Sequence, residues 1–185
     1  LEMVRHPIPD VEIDIHISNV FPLDRNSNQI PHIALTKYSA DYIFFVDGDN
    51  ILKKDALENL LKHCDDNTLV GPTMGQLDNE LNFVQEKNSV LAGKSYMSGW
   101  CLAAHRDVWK RLTLPSYCGP FSEEFPIAYF EDTDLSFRAR QDKINFVVVD
   151  IPVSHFGKQT SKQLNTYELY NNSRKVFVKK WKNKK

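Results

Sequence analysis

Two carboxylates, Asp47 and Asp49, stand one residue apart at the end of an apolar run from Tyr42 to Val46. Carboxylates that converge on one point repel each other unless a proton or a cation lies between them. Mg²⁺ and Mn²⁺ bind through such oxygens, and a site with only one or two carboxylates keeps positions free for phosphate oxygens. The pair therefore predicts a divalent-cation site that also accepts a phosphorylated ligand. A polar turn after a core strand is the alternative without chemistry.

A second acidic group, formed by Glu131, Asp132 and Asp134, occupies a predicted helix start. Acids in a first turn cap free N–H groups and complement the helix dipole, which explains at least one of them without chemistry. An ionised carboxylate held at such a place can also serve as a general base.

His155 follows a predicted buried strand further along the chain. A neutral imidazole is a common metal ligand, so His155 can complete the coordination of a cation held by Asp47 and Asp49. A solvated loop histidine is the alternative, and it is the more common case for a lone histidine.

A strand over Tyr42–Val46 would position the first acidic pair. Five β-prone residues without polar alternation predict a strand buried on both faces, as in parallel sheets. Ligands of open α/β sheets bind at the carboxyl ends of the strands, where Asp47 and Asp49 would lie. Gly48 lets the backbone turn sharply there and approach a ligand closely.

Strands and helices alternate along the rest of the chain, which predicts an α/β fold. Apolar patterning predicts further strands at Val11–Ile17, Thr68–Val70, Tyr96–Ala104 and Asn145–Asp150. It predicts helices at residues 54–63, 105–112, 131–141 and 167–181, and a short helix around Ala34. Four segments are predicted to be loops: Phe21–Gln29, Met74–Lys94, Thr113–Pro126 and Ile151–Ser161. The functional interpretation of Met74–Lys94 is a lid over a ligand. Leu1–His6 has the pattern of a helix end, so we expect a first strand and helix upstream of it.

Length, charge and cysteine content narrow the class of protein. With 185 residues the chain is expected to form one domain, and its net charge of −1 argues against nucleic acid as a partner. Cys64, Cys101 and Cys118 are an odd number without metal-ligand spacing. They predict buried free thiols in a reducing compartment, so we expect a cytoplasmic protein. No apolar run approaches the ~20 residues that span a bilayer.

Two other kinds of site also begin with Asp-x-Asp. An EF-hand loop that began at Asp47 would need glycine at its sixth position, where Leu52 stands, and a helix before it rather than a strand. The EF-hand is therefore excluded. Phosphatases of the haloacid dehalogenase type would use Asp47 as nucleophile and Asp49 as acid, but their pattern continues Gly-Thr where this chain has Asn50-Ile51. The phosphatase alternative stays open, and it leaves the second acidic group unexplained.

Four motifs stand in order along the chain: DGD after the apolar strand, SGWCLAAHRDVW, FEDTDLSFRAR and HFGKQTS. In this order they resemble the motifs of family 2 glycosyltransferases with the GT-A nucleotide-sugar-binding fold, especially bacterial and viral enzymes that build surface polysaccharides. The resemblance extends from Val11 to Lys180. It implies a single GT-A (Rossmann-like) domain over residues 1–185, with a mostly parallel central sheet flanked by helices.

The resemblance also implies roles for the residues of the two acidic groups. Asp49, Asp47 and His155 would hold a Mn²⁺ or Mg²⁺ ion, with Asp49 the direct ligand and Asp47 reaching the metal or the ribose. Asp132, preceded by Glu131, matches the base that deprotonates the acceptor hydroxyl.

Further residues are assigned to the substrates by the same resemblance. The sugar and acceptor side is assigned to Ser98, Gly99, Trp100 and Asp134. The nucleotide side is assigned to Ser18, Asn19 and Lys158, together with Asp47. Ser18-Asn19 stand where many members have an acidic residue, and Pro31-His32 stand where many have Arg-Asn.

The implied reaction moves a sugar from a nucleoside-diphosphate donor, UDP-sugar favoured, to a hydroxyl of a glycan or lipid-linked acceptor, with inversion. The metal would neutralise the charge that grows on the leaving diphosphate. A module that binds nucleotide sugar without turning it over is the non-catalytic alternative.

The chain from Arg174 to Lys185 is rich in lysine. A solvated helix end is the default explanation, since cations suit a helix carboxyl terminus. The functional alternative is a peripheral contact with anionic lipid, which suits an enzyme acting on a lipid-linked acceptor. The sequence predicts no oligomeric state.

Overall fold

The computed structural model describes residues 28, 32–117, 119–125, 128–156, 165–182 and 184. These residues form both strands and helices, which confirms a mixed α/β structure, although five strands follow one another over residues 68–105. The predicted strand at Val11–Ile17 and the candidate nucleotide-binding residues Ser18, Asn19 and Lys158 lie outside the described residues.

The described elements match most of the predicted strands and helices. The strands are β1 Tyr42–Val46, β2 Asn50–Leu52, β3 Thr68–Gly71, β4 Met74–Leu77, β5 Phe83–Lys87, β6 Ser95–Met97, β7 Cys101–His105, β8 Asn145–Val148 and β9 Val153–His155. The helices are α1 at residues 32–37, α2 Ala56–Leu61, α3 Arg106–Leu112, α4 Glu131–Gln141 and α5 Thr166–Trp181. None of these described helices is long and apolar enough to cross a membrane.

The main sheet has the strand order β1-β7-β3-β8 and is mixed. Strand β7 pairs antiparallel with both β1 and β3, whereas β3 and β8 pair in parallel. The expected mostly parallel pairing is therefore not what the described strands show, although β1, β3 and β8 do run in one direction. Strand β7 runs opposite to β1 and β3 because the chain begins β7 at the edge of the sheet where those two strands end.

The segment at residues 74–94 contains the two strands β4 and β5 and is therefore not the continuous loop that was expected. Strands β4, β5 and β6 make a small sheet of order β5-β4-β6. The segment lacks apolar alternation because β5 is exposed at most positions, including Phe83 at 49% and Val84 at 54%. The strand expected over Tyr96–Ala104 is two strands of different sheets, separated by the turn Ser98–Trp100.

A third, two-stranded sheet was also missed by the sequence patterns. Strand β9 lies in the segment expected to be a loop, and it pairs antiparallel with β2. Each of these strands has only three residues, which is too short for a period to show. Their register places Asn50 opposite His155.

Apolar side chains pack on both faces of the main sheet. Leu102 and Ala104 of β7 join a core with Trp109 of α3, whereas Ala103 joins a core with Leu60 of α2. Helix α5 packs through a separate cluster. Strand β1 departs from the expected burial on both faces, since Tyr42 and Val46 at its two ends are 39% and 38% exposed.

Candidate functional site

The carboxyl end of β1 and the amino end of β7 meet at one edge of the main sheet. Val46 pairs with Cys101, and the Asp47 N–H donates to the Trp100 carbonyl oxygen at 2.9 Å. The segment that carries Asp47 and the segment that carries Ser98, Gly99 and Trp100 therefore lie side by side. Because β1, β3 and β8 run in one direction, this is also the edge at which the parallel strands end.

Asp49 and His155 lie next to each other at this edge. The β2–β9 pairing continues into a hydrogen bond from the Phe156 N–H to the Asp49 carbonyl oxygen at 3.0 Å. The His155 Nε2 atom lies 3.5 Å from Asp49 Oδ1. That oxygen is buried and accepts no hydrogen bond. The structure thus brings together two of the three predicted metal ligands and leaves an oxygen available between them.

Asp47 is exposed to solvent but sits among other negative charges. Its surroundings raise its pKa to about 6, first through desolvation by neighbouring protein atoms, then through the charges of Asp49 and Asp132. Ionising all three carboxylates together is costly, and a bound cation would remove that cost. The third predicted ligand is therefore close enough to Asp49 and Asp132 for their charges to raise its pKa.

Asp132 lies in the first turn of α4 and holds the turn that precedes β7. Its Oδ2 accepts from the Gly99 N–H at 2.9 Å, and its Oδ1 accepts from the Thr133 N–H at 2.6 Å. Burial raises the pKa of Asp132, and these hydrogen bonds oppose that rise. A Cβ at Gly99 would lie 2.9 Å from the Asp132 Cβ, so this approach requires glycine.

The two residues before α4, whose first turn carries Glu131, Asp132 and Asp134, have an unusual backbone conformation. Tyr129 and Phe130 have φ values of 73° and 71°, a left-handed conformation that costs energy in residues other than glycine. Glu131 follows directly and lies near enough to Tyr129 that its charge, after burial, raises the pKa of the Tyr129 phenol.

Trp100 covers one face of the His155 ring. The two rings stack with centroids 4.5 Å apart and an angle of 18°. The Trp100 Nε1–H points at Thr73 Oγ1 at 3.1 Å and at Glu86 Oε1 at 3.2 Å. Ser98 is buried beside it, with its N–H donating to the Thr73 carbonyl oxygen at 3.1 Å.

Glu86 is a member of this group that the sequence did not reveal. It accepts a hydrogen bond from Thr73 Oγ1 at 2.7 Å. Desolvation raises the pKa of Glu86, but hydrogen bonds from Ser98, Thr73 and Trp100 and the charge of His155 outweigh it and lower the pKa overall. The carboxylate is therefore held ionised. No sequence signal marked it, because its strand has no apolar alternation.

Asn50 is a second residue that the sequence motifs did not single out. Its Nδ2 donates to the carbonyl oxygens of Asp47 at 3.0 Å and Trp100 at 3.2 Å. The amide thus ties the end of β1 to the turn before β7. The one sequence feature that pointed to a role for Asn50 at the site was its place directly after Asp49.

Asp134 does not join the site. Its side chain is fully buried and pairs with Arg138 at 2.9 Å and with Lys180 at 3.0 Å. The Trp181 Nε1–H donates to it at 2.8 Å. The structure therefore places Asp134 between α4 and α5 rather than beside a substrate, and the acid that the first turn of α4 presents next to Gly99 is Asp132.

A divalent cation fits this donor set only together with another ligand. Over the part of the chain that the structure describes, no three His, Cys, Asp or Glu side chains are arranged to hold a metal ion by themselves. Asp49 and His155 supply two donors, and the Asp49 oxygen that faces His155 is buried and accepts no hydrogen bond. Mg²⁺ and Mn²⁺ sites of this kind take their other ligands from water and substrate phosphates. The residues therefore fit a cation that arrives with a phosphorylated ligand.

A comparison with models of known protein families finds no match to this chain, and a search of curated proteins finds none either. The geometry of the site is therefore the basis for a functional proposal.

Proposed function

We propose that the protein is a metal-dependent glycosyltransferase that moves a sugar from a nucleoside-diphosphate donor, UDP-sugar favoured, to a hydroxyl acceptor in glycan synthesis. One observation carries the proposal: Asp47, Asp49, Asp132 and His155 come from three distant segments and converge at one edge of the main sheet. A phosphorylated donor, a cation and an acceptor hydroxyl need this combination of acids and imidazole in one place.

Asp49 and His155 are the residues that would hold the cation, with Asp47 beside them. When bound, Mn²⁺ or Mg²⁺ would supply positive charge to the departing diphosphate. The pKa of about 6 at Asp47 applies without a cation, and a nearby positive charge would favour its ionised form.

Asp132 is the proposed base. Burial raises its pKa, and a carboxylate with a raised pKa is a stronger base than an ordinary one. Its Oδ2 accepts one hydrogen bond, from Gly99, and a carboxylate oxygen has a second lone pair that can take a proton. As the acceptor oxygen bonds to the anomeric carbon and passes its proton to Asp132, the bond to the diphosphate breaks on the opposite face. This displacement inverts the anomeric centre, and base assistance of this kind is worth about 10²–10⁴-fold.

We assign the α/β domain to the GT-A type over residues 1–185. The support is a sheet with helices on both faces and a site at the edge where the co-directional strands end. Ser98, Gly99 and Trp100 border the proposed base and are the residues we expect beside the sugar and acceptor.

A cytoplasmic location and a glycan or lipid-linked acceptor complete the proposal. Contact of the basic carboxyl-terminal helix with anionic lipid would depend on Lys175 and Lys179, which are exposed. Two other lysines have partners within the protein, since Lys180 pairs with Glu124 and Lys182 pairs with Glu80.

Calorimetry with Mn²⁺ and a UDP-sugar chosen by thermal-shift screening tests the proposal. We expect Asp49→Ala to abolish metal-dependent binding and Asp132→Asn to keep binding but lose transfer. Asp107→Asn, an exposed acid paired with Lys110, is the control that should change neither. Equal binding by the wild type and Asp49→Ala would refute the metal assignment. Hydrolysis of p-nitrophenyl phosphate through Asp47 would instead support the phosphatase alternative.

A further inference from the structure

The His155 ring has a built support on the side away from Asp49. Trp100 stacks on it at 4.5 Å and nearly parallel, while His155 Nε2 faces Asp49 Oδ1 at 3.5 Å. An imidazole can rotate about two side-chain bonds, and a flat indole against one face restricts that rotation. The direction of Nε2 therefore depends on where the indole lies.

The indole is itself held by polar contacts from the small sheet. Its single donor, Nε1–H, lies 3.1 Å from Thr73 Oγ1 and 3.2 Å from Glu86 Oε1. The Thr73 hydroxyl also donates to Glu86 Oε1, at 2.7 Å. Both donors are thus directed at one carboxylate oxygen, and hydrogen bonds to an ionised acceptor are the stronger kind.

Glu86 reaches the site from a mostly exposed strand and is itself partly open to solvent. It lies on β5, whose partner β4 begins one residue after Thr73, and the Ser98 N–H donates to the Thr73 carbonyl oxygen. The base of the β4–β5 hairpin is therefore joined to the turn that precedes β7. This connection gives the hairpin a role at the site without any residue of β5 touching Asp49.

We propose that Glu86 is a positioning residue: it fixes the Trp100 indole, and the indole fixes His155 so that Nε2 faces Asp49. The value of this arrangement for a cation rests on the proposed function, whereas the arrangement itself exists without a cation or a nucleotide. In other proteins, outer residues that hydrogen-bond to metal ligands orient those ligands, and removing one typically weakens metal binding about 10–100-fold.

The test compares the ¹H signals of the His155 ring in metal-free protein, recorded at alkaline pH so that every imidazole is neutral. A stacked indole shifts ring protons upfield. We expect Glu86→Ala to move the His155 signals toward those of an exposed histidine, and Glu86→Gln, which keeps an acceptor oxygen, to preserve them. Lys87→Ala on the same strand is the matched control and should change nothing. A His155→Gln variant assigns the signals.

A second comparison tests the route through the indole. Trp100→Phe keeps an aromatic face but cannot donate a hydrogen bond, so Glu86→Ala should have no added effect on His155 in that background. Mn²⁺ titration should show a loss of about 10–100-fold in affinity for Glu86→Ala and a clearly smaller loss for Glu86→Gln.

Three results would overturn the inference: unchanged His155 signals in Glu86→Ala, equal effects of Glu86→Ala and Glu86→Gln, or the same effect of Glu86→Ala with and without Trp100. The first would show that Glu86 does not position the ring, the second that charge alone matters, and the third that the indole is not the link. Intact coupling in a protein that binds no nucleotide sugar would count against the proposed function and not against Glu86.

Discussion

Asp47, Asp49 and Asp132 are the same residue type in three different electrostatic situations. Asp47 faces like charges and has a raised pKa. Asp49 faces an imidazole. Asp132 is partly buried, and backbone N–H groups of Gly99 and Thr133 stabilise its charge. These differences predict a different response to substitution at each of the three carboxylates.

The raised pKa of Asp47 predicts a stability change with a defined pH window. Below pH 3.8, the pKa of Asp47 in the unfolded chain, the carboxyl is protonated in both states. As pH rises from there through about 6, the unfolded state loses the proton first, so the folded state loses stability. Asp47→Asn should therefore stabilise the metal-free protein at pH 7 but not below pH 4. Such a shift corresponds to about 3 kcal/mol for a desolvated group, and solvent screening at the exposed Asp47 reduces this to about 1 kcal/mol.

Urea unfolding at several pH values measures this difference. Addition of Mn²⁺ with UDP should make the wild type more stable than Asp47→Asn, because only the wild type keeps the carboxylates of both Asp47 and Asp49. A difference in stability between the two proteins that is the same at pH 4 and pH 7 would contradict the electrostatic explanation.

Gly99 predicts a packing effect at the proposed base. In Gly99→Ala the new Cβ would lie 2.9 Å from the Asp132 Cβ, so the first turn of α4 must shift. We expect a loss of about 1–3 kcal/mol in the free energy of unfolding, together with a fall in transfer. Gly48→Ala is the matched control for stability, since its Cβ would meet nothing within 4 Å. Equal unfolding free energies for the two variants would argue against the close contact.

At the scale of elements, α4 connects the site to the carboxyl-terminal helix. In its first turn, Asp132 accepts a hydrogen bond from the Gly99 N–H. Asp134, two residues later, forms ion pairs with Arg138 and Lys180 and accepts a hydrogen bond from Trp181 of α5. The same acidic turn thus serves the site on one side and the α5 interface on the other.

Removal of the Asp134 carboxylate should destabilise the fold strongly. Asp134→Ala would leave Arg138 and Lys180 without their buried partner, and the loss of one member of a buried ion pair typically costs about 3–5 kcal/mol. Asp107→Ala removes an exposed partner of Lys110 and should have little effect. Denaturant unfolding compares the two, and similar stabilities would show that the buried network contributes little.

Sequence patterns predict the elements of the main sheet and its helices but not the outer elements of the site. Strand β3 is buried at all four positions, so its apolar run was visible, whereas β5 is mostly exposed and β2 and β9 have three residues each. That Asp49 and His155 lie close together was predictable from residue type and motif order. Glu86 was not, because its contribution depends on the pairing of β5 with β4.

At the scale of the whole molecule, the site exists because three sheets meet at one edge. The main sheet supplies Asp47, the two-stranded sheet brings His155 to Asp49, and the small sheet brings Glu86 to Trp100. Asp49 and His155 thus become neighbours although about a hundred residues separate them in the chain. A local sequence pattern cannot predict a contact across so many residues. Long-range pairing of this kind also explains why the direction of β7 could not be predicted.

The most direct test of this account is paramagnetic relaxation by Mn²⁺, measured on the backbone amides of the ¹⁵N-labelled protein in the presence of UDP. The account predicts that trace Mn²⁺ first broadens the amides of Asp49, Trp100 and Phe156, and that Asp49→Ala removes this broadening. Broadening centred on other acids, such as Asp78 and Glu80 in the β4–β5 turn, or no localised broadening at all, would contradict it.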